Sequence, residues 1–445
     1  MRKKYEDILS KNPALRAAAE HAFDSAEQKD TFTRTAAYVA APVLFCYVLF
    51  ILKEAKRQGL RRIYFLARDG YIMNIIAREI CVRGGFDIDC RYLYCSRYSL
   101  KNALYYLCDT PEKAEESGIF GRCARQCASN TLLRAGFDKE QRAEIYRAVS
   151  FDGDEEKQMT NAEHDEFCRR LKDSELFLRM LQDNAKDKYD LIQEYFRQEG
   201  LFEDVPYALA DTGWLGSIQG AFERLTEGKT KNVRGFYFGL FRRLEENKYY
   251  SFLFSGEDAH KVVPRFCNNL FECFCSAPHG MTVGYEQDGD MINPVLASVV
   301  TSSVQLAQIQ CETARRFAES AAEKVSDIDV DGTRKVCRRL LFRLMYSPTE
   351  EEAKALSVYT FCDDATEKTL EPLAEKCDRQ SLKNLLFLRR MINRVKGGQI
   401  YPDKGVYWLY GTIALSDIKF KRVYRLSVRL WEKLRLLREK RSVCR

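Results

Sequence analysis

Two kinds of apolar stretch alternate through the first 300 residues of the chain. Short bounded runs at residues 62–66 (RIYFL), 90–95 (CRYLYC), 205–210 (VPYALA) and 233–241 (VRGFYFGLF) read as buried strands. Between them lie segments with apolar positions at 3- and 4-residue spacing, which read as helices. Strands alternating with helices predict an α/β domain built on a parallel sheet. Residues 36–52 (AAYVAAPVLFCYVLFIL) form an uncharged run of 17, and a helix there would continue through Lys53, Glu54 and Lys56 to a stop at Gly59. Pro42 suits the first turn of that helix or a kink in it. The run sits at the short limit for a bilayer span, which normally needs about 20 residues, so the expectation is a buried helix leading into the first strand.

A second helix is expected over 71–83. Residues 101–198 are charged, helical in period and interrupted by turns, with an acidic stretch at 152–156, and predict a helical, cap-like insertion. Beyond Ser302 the period is almost wholly helical. The expected organisation is an α/β domain over 1–300 carrying the insertion, a helical domain over 301–417, and a basic amphipathic helix over 418–445.

Composition agrees with a folded, soluble chain: 46% of residues are apolar and 30% charged, enough for a sizeable core. The 16 cysteines are scattered, without a C-x-x-C pair, and the close groupings Cys123/Cys127 and Cys273/Cys275 have no histidines at zinc-ligand spacing. No zinc site is expected, nor a nicotinamide or flavin cofactor. Unpatterned cysteines and the polar start MRKKYEDILSKNP point to a reducing cytoplasm and no secretory leader.

Charge is concentrated at one end. Residues 418–445 hold four lysines and seven arginines against Glu432 and Glu439, a net +9 in a chain whose formal total is +7. Val423, Leu426, Leu430, Leu434 and Leu437 share one helical face, flanked by Tyr424 and Trp431. Such a helix can lie on an anionic membrane surface or pack on its own protein with a solvated basic face. No aromatic-basic module accompanies the charge, so nucleic acid is not an expected partner.

Ligands of open α/β sheets bind beyond the carboxyl ends of the strands, so the residues that follow each strand carry the candidate chemistry. They are Ala67-Arg68-Asp69-Gly70, Ser96-Arg97, and Asp211-Thr212-Gly213-Trp214-Leu215-Gly216-Ser217. Gly213 and Gly216 would let backbone approach a ligand, Ser217 could cap a helix whose free N–H groups attract anions, and Trp214 could stack on a sugar or base. Two carboxylates, two arginines and two hydroxyls suit a phosphorylated or otherwise anionic ligand, with or without a divalent cation. His279 is a loop residue able to face the same place, and Glu272, in the apolar run LFECF, needs a partner such as Arg68 or Arg97 if buried.

The order of strand with x-D-G, strand with serine, helical insertion and strand with aspartate resembles the haloacid dehalogenase-like (HAD-like) superfamily of phosphohydrolases. More closely, YFLARDGYIM, YLYCSRYSLK, ADTGWLGSIQ and NLFECFCSAPHG, with the later YWLYGTIALS, look like a branch found among bacterial cell-surface polysaccharide and glycosyltransferase genes and described as predicted hydrolases. The likeness runs over most of the chain, and its first and third motifs are the most specific. It implies a Rossmann-like, HAD-type parallel sheet. It also implies Asp69 as general acid/base and metal ligand, Ser96 as a phosphoryl-binding hydroxyl, Asp211 as the late metal-binding acid, and Mg²⁺ as cofactor. The motif lysine has no clear counterpart, with Lys186 and Lys188 as candidates. At the nucleophile position stands Ala67, whose methyl group can neither form an aspartyl-phosphate nor bind the cation. Tyr71 replaces the small residue usual after the D-G, and a shifted register would make Asp69 the nucleophile with Tyr71 as its companion.

Three expectations follow. The first is a degenerate phosphatase-like domain binding a sugar phosphate or nucleotide-sugar in cell-surface polysaccharide biosynthesis through Arg68, Asp69, Gly70, Ser96, Arg97, Asp211, Gly213, Trp214, Gly216 and Ser217. The second is an active Mg²⁺-dependent phosphohydrolase or transferase working through Asp69. The third is a scaffold for membrane-associated glycosyltransferases, cytoplasmic and peripheral to the inner face of the membrane.

Overall fold

Arg62–Leu66 (β1), Asp89–Leu93 (β2), Tyr207–Trp214 (β3), Arg234–Leu240 (β4) and Tyr249–Phe254 (β5) form one sheet in the order β2-β1-β3-β4-β5, with every neighbouring pair parallel. The structure is a computed structural model and describes residues 2–121, 126–230, 233–245, 247–361, 371–395 and 407–443. The α/β class and parallel sheet expected from the alternating pattern are present. Strand β5 and an antiparallel hairpin, Thr282–Asp288 (β6) with Met291–Leu296 (β7), are additions to the four expected strands.

Both faces of the sheet are covered, as parallel sheets require. Ile63, Phe65, Ala208, Ala210, Phe236 and Phe238 pack into one cluster with helices Ala41–Arg57, Gly70–Gly84, Thr301–Ala322 and Val330–Met345. On the other face Tyr64, Leu66 and Leu209 meet helices Arg97–Leu104 and Ser217–Leu225 and the far end of Glu175–Gln198. Alternation along each strand sends successive side chains to opposite faces, which is why neighbours such as Phe65 and Leu66 belong to different cores.

The apolar run at 36–52 is core. Its helix continues from Thr31 to Arg57, and 94% of its most apolar window is buried against the sheet and the later helices. Pro42 has no N–H to return to the preceding turn, and over Ala36–Ala40 the ladder widens to a π-helical turn, where the Ala41 N–H reaches back to the Ala36 carbonyl.

Residues 101–198 are helical throughout their described elements and hold a third cluster of their own, including Tyr105, Leu132, Phe137, Phe167 and Phe177. The 24-residue helix Glu175–Gln198 joins this unit to the sheet: Phe177, Leu181 and Ala185 sit in the insertion core, while Ile192, Tyr195 and Phe196 sit under the sheet. Beyond position 300, Phe317, Leu340, Leu344, Trp408 and Val428 belong to the same cluster as the sheet residues, so the helical region expected over 301–417 shares its core with the α/β fold.

Candidate functional site

The chain enters the sheet at β1, moves outward to β2, and returns through the insertion to β3 on the opposite side of β1. The carboxyl ends of β1 and β3 are therefore the topological switch point, where doubly wound sheets leave a crevice for ligands. Asp69, Asp211 and Glu272 meet there.

Asp69 is the last residue before helix Gly70–Gly84 and occupies its cap position without capping it. Its carboxylate instead accepts a hydrogen bond from the Thr212 hydroxyl of β3. Gly70 has a packing reason: a Cβ there would lie 2.5 Å from the carbonyl carbon of Phe65, so only glycine lets the helix start this close to β1. The Ala67–Arg68 peptide is cis, and the Ala67 N–H donates to the Leu93 carbonyl of β2 at 3.0 Å.

Strand β3 runs four residues further than its apolar run suggested and includes Asp211, Thr212, Gly213 and Trp214. Asp211 pairs in register with Tyr237 and is only 8% exposed. Tyr47, from the buried helix, places its hydroxyl 2.7 Å from the Asp211 carbonyl and 2.8 Å from that of Phe236, fixing the strand end. Gly213 has a packing reason in the neighbouring strand, since a Cβ there would lie 2.7 Å from the Gly239 carbonyl oxygen. Trp214 is likewise core: its ring stacks on Phe241 at 5.3 Å and its indole N–H donates to Glu272 Oε1 at 2.5 Å. Glu272 lies on helix Asn268–Phe274. Its partner is thus Trp214, with Arg97 acting through charge.

Electrostatics follow from three carboxylates in one dry place. Burial, and then the Asp69 charge, push Asp211 up to about 7. Burial and the same neighbour push Glu272 up to about 8. Asp69 is also raised by burial, against the opposing Thr212 hydrogen bond and the charges of Arg68 and Arg97. Arg97 acts on all three carboxyls. Arg97 is an exposed residue, and its guanidinium makes no hydrogen bond or ion pair among the described residues.

Beside this group stands an aromatic wall. The His279 ring centroid lies 5.8 Å from Tyr71, 5.8 Å from Tyr92 and 5.2 Å from Tyr94. His279 Nδ1 is 2.8 Å from the Gly280 carbonyl and so carries the proton, leaving Nε2 to accept from the Tyr92 hydroxyl at 2.8 Å. Burial and the Arg68 charge hold this histidine below its ordinary range, in keeping with a neutral ring. Tyr71 belongs to the wall, and burial raises its pKa, which makes it a poorer proton donor.

The remaining expected contacts sit elsewhere. Ser96 is a helix cap: its hydroxyl accepts from the Ser99 N–H at 2.9 Å and donates to the Thr282 carbonyl at 2.6 Å. Gly216, with φ of 68°, caps helix Ser217–Leu225, so Ser217 is its exposed first residue and not the cap. Lys186 is exposed on the long helix, and the ammonium of Lys188 lies beside Gly136 in the insertion. Thr212 and Tyr47 had no signal of their own in the sequence. Thr212 stood unremarked inside D-T-G, and Tyr47 inside a helix that read as plain core.

Among the described residues no three His, Cys, Asp or Glu side chains gather closely enough to hold a metal ion by themselves. Asp69 and Asp211 are hard oxygen donors of the kind Mg²⁺ takes, one or two carboxylates being completed by water and phosphate oxygens, so these two residues are the ones that would hold it. No protein-family model matches this sequence, and no curated protein matches it.

Proposed function

We propose that the crevice at the β1/β3 switch point binds a phosphorylated sugar or nucleotide-sugar together with Mg²⁺, in a HAD-like domain that lacks the usual aspartate nucleophile. The observation that carries this is the convergence of Asp69, Asp211 and Glu272 beneath Arg97, with the Arg68 charge acting on Asp69. With Asp69, Asp211 and Glu272 all ionised, two guanidiniums would leave the crevice short of positive charge, and burial makes that state costly. A cation held by Asp69 and Asp211 relieves it, and Arg97 is free to meet the ligand's anionic oxygens. Bound there, Mg²⁺ supplies charge neutralisation and orientation for phosphoryl oxygens. The resemblance in motifs supports a cytoplasmic role in cell-surface polysaccharide biosynthesis.

A second reading, an active phosphohydrolase or transferase, draws on a different observation. Asp211 and Glu272 both titrate close to neutrality, the range a general acid or base needs. With Ala67 at the nucleophile position, such chemistry would run through Asp69 directly or through water held by Asp69 and Asp211.

The test uses the full chain with Mg²⁺ and a panel of sugar phosphates and nucleotide-sugars. A saturable rise of a few degrees in melting temperature is expected for at least one ligand, from mass action. It should vanish in Asp211→Ala. Silence across the whole panel would remove the binding reading, while phosphate release abolished by Asp69→Asn would make the protein an enzyme.

A further inference from the structure

The C-terminal helix Lys421–Val443 turns its leucine stripe away from the protein. It packs on the body through Val428 and Trp431, which are buried, whereas Val423, Leu426, Leu430, Leu434 and Leu437 are all exposed. At about 100° per residue, the five exposed positions fall within an arc of about 80° whose middle lies about 160° round from Val428 and about 100° from Trp431, which flanks the stripe on the body side. On the same wheel Arg422 and Lys433, both exposed, border the stripe, while Glu432 lies on the side turned to the body.

A second helix repeats the arrangement. Phe387–Val395 packs against the C-terminal helix, with the Phe387 ring 6.3 Å from Trp431 and the Arg390 guanidinium 5.7 Å above the Trp431 ring. It exposes Leu388, Met391 and Ile392 at helical spacing, and Leu388 is 74% exposed. Phe420, immediately before the C-terminal helix, is 79% exposed. Exposed apolar side chains in such number on adjacent elements mark an interaction surface.

We infer that this helix pair docks on an anionic lipid bilayer surface. The leucine stripe enters the interface between headgroups and acyl chains, and the flanking Arg422 and Lys433 reach anionic headgroups. Charge selects this occupant over a second copy of the chain, because an isologous contact through the same face would set two basic flanks against each other. The surface is formed by other elements than the crevice, so the two stand or fall separately.

Flotation of the full chain with vesicles tests it, using neutral phosphatidylcholine alone and phosphatidylcholine mixed with phosphatidylglycerol. Binding is expected only to the second kind and should weaken as salt rises. Two double variants, Leu430→Glu with Leu434→Glu and Arg422→Glu with Lys433→Glu, should each lower the apparent affinity at least about tenfold while the thermal melt is unchanged, since all four side chains are exposed. Absent binding, or binding indifferent to both variants, overturns the inference. So does a concentration-dependent dimer in sedimentation velocity that the leucine variants abolish without any vesicle binding.

Discussion

Asp211 titrates near 7 in the folded chain against an ordinary 3.8, and the pH dependence of stability follows from that difference. Between those values the folded chain keeps a proton that the unfolded chain has released. This site's contribution is therefore greatest in acid, declines as pH rises from about 4 to about 7, and is flat above. Asp211→Asn removes the titration. Relative to the parent it should gain on the order of 1–3 kcal/mol near pH 8 and little near pH 4, read from urea midpoints. Equal effects at both pH values would mean that Asp211 is not the titrating group. At this scale the sequence pointed to Asp69, Asp211 and Arg97, because each follows an expected strand. It did not show the packing of Gly213 and Trp214 or the cap at Gly216, since a polar pair after an apolar run looks like a turn. Asp211 and Thr212 are buried all the same, because Tyr47 and Asp69 answer their polar groups from distant parts of the chain.

Between elements, the junction of β1 with helix Gly70–Gly84 sets where Asp69 points. An alanine at Gly70 would press its Cβ against the Phe65 backbone, 2.5 Å from the carbonyl carbon, and backbone cannot swing aside as a side-chain tip can. Gly70→Ala should cost about 1–3 kcal/mol by overpacking and should also weaken the Mg²⁺ and ligand response, because relief of the clash moves Asp69. A variant that melts lower yet responds normally would separate the junction from the site. Strands β1 to β4 were legible as bounded apolar runs, and the insertion as a break in that pattern. The hairpin β6–β7 was not, since its exposed positions mix Glu286, Gln287 and Asp288 with the apolar Met291 and Leu296 and so break any alternation, and its inward Tyr285 and Ile292 pack against residues far away in sequence.

For the molecule as a whole, the apolar cluster on one sheet face runs from Tyr5 to Val428. A fragment ending at residue 300 would leave helix Ala41–Arg57 and one face of the sheet without Phe317, Leu340, Leu341 and Leu344. It should lose near-UV circular dichroism and bind a hydrophobic dye, the behaviour of a collapsed chain without fixed packing. A cooperative melt from that fragment would show the two regions to be independent. Helical period announces an element but not which core receives it, which is why a boundary at 300 looked natural. The chain has three tryptophans, and the packing gives each a different address. Trp214 donates to the Glu272 carboxylate, Trp431 lies beneath the outward-facing C-terminal helix, and Trp408 donates to the Met345 carbonyl in the interior. With the other two indoles replaced by phenylalanine, emission from Trp214 should follow proton occupancy in the crevice, emission from Trp431 should follow what covers the outer helices, and emission from Trp408 should serve as an internal reference. The molecule carries its own optical labels for the crevice and for the outer helix pair.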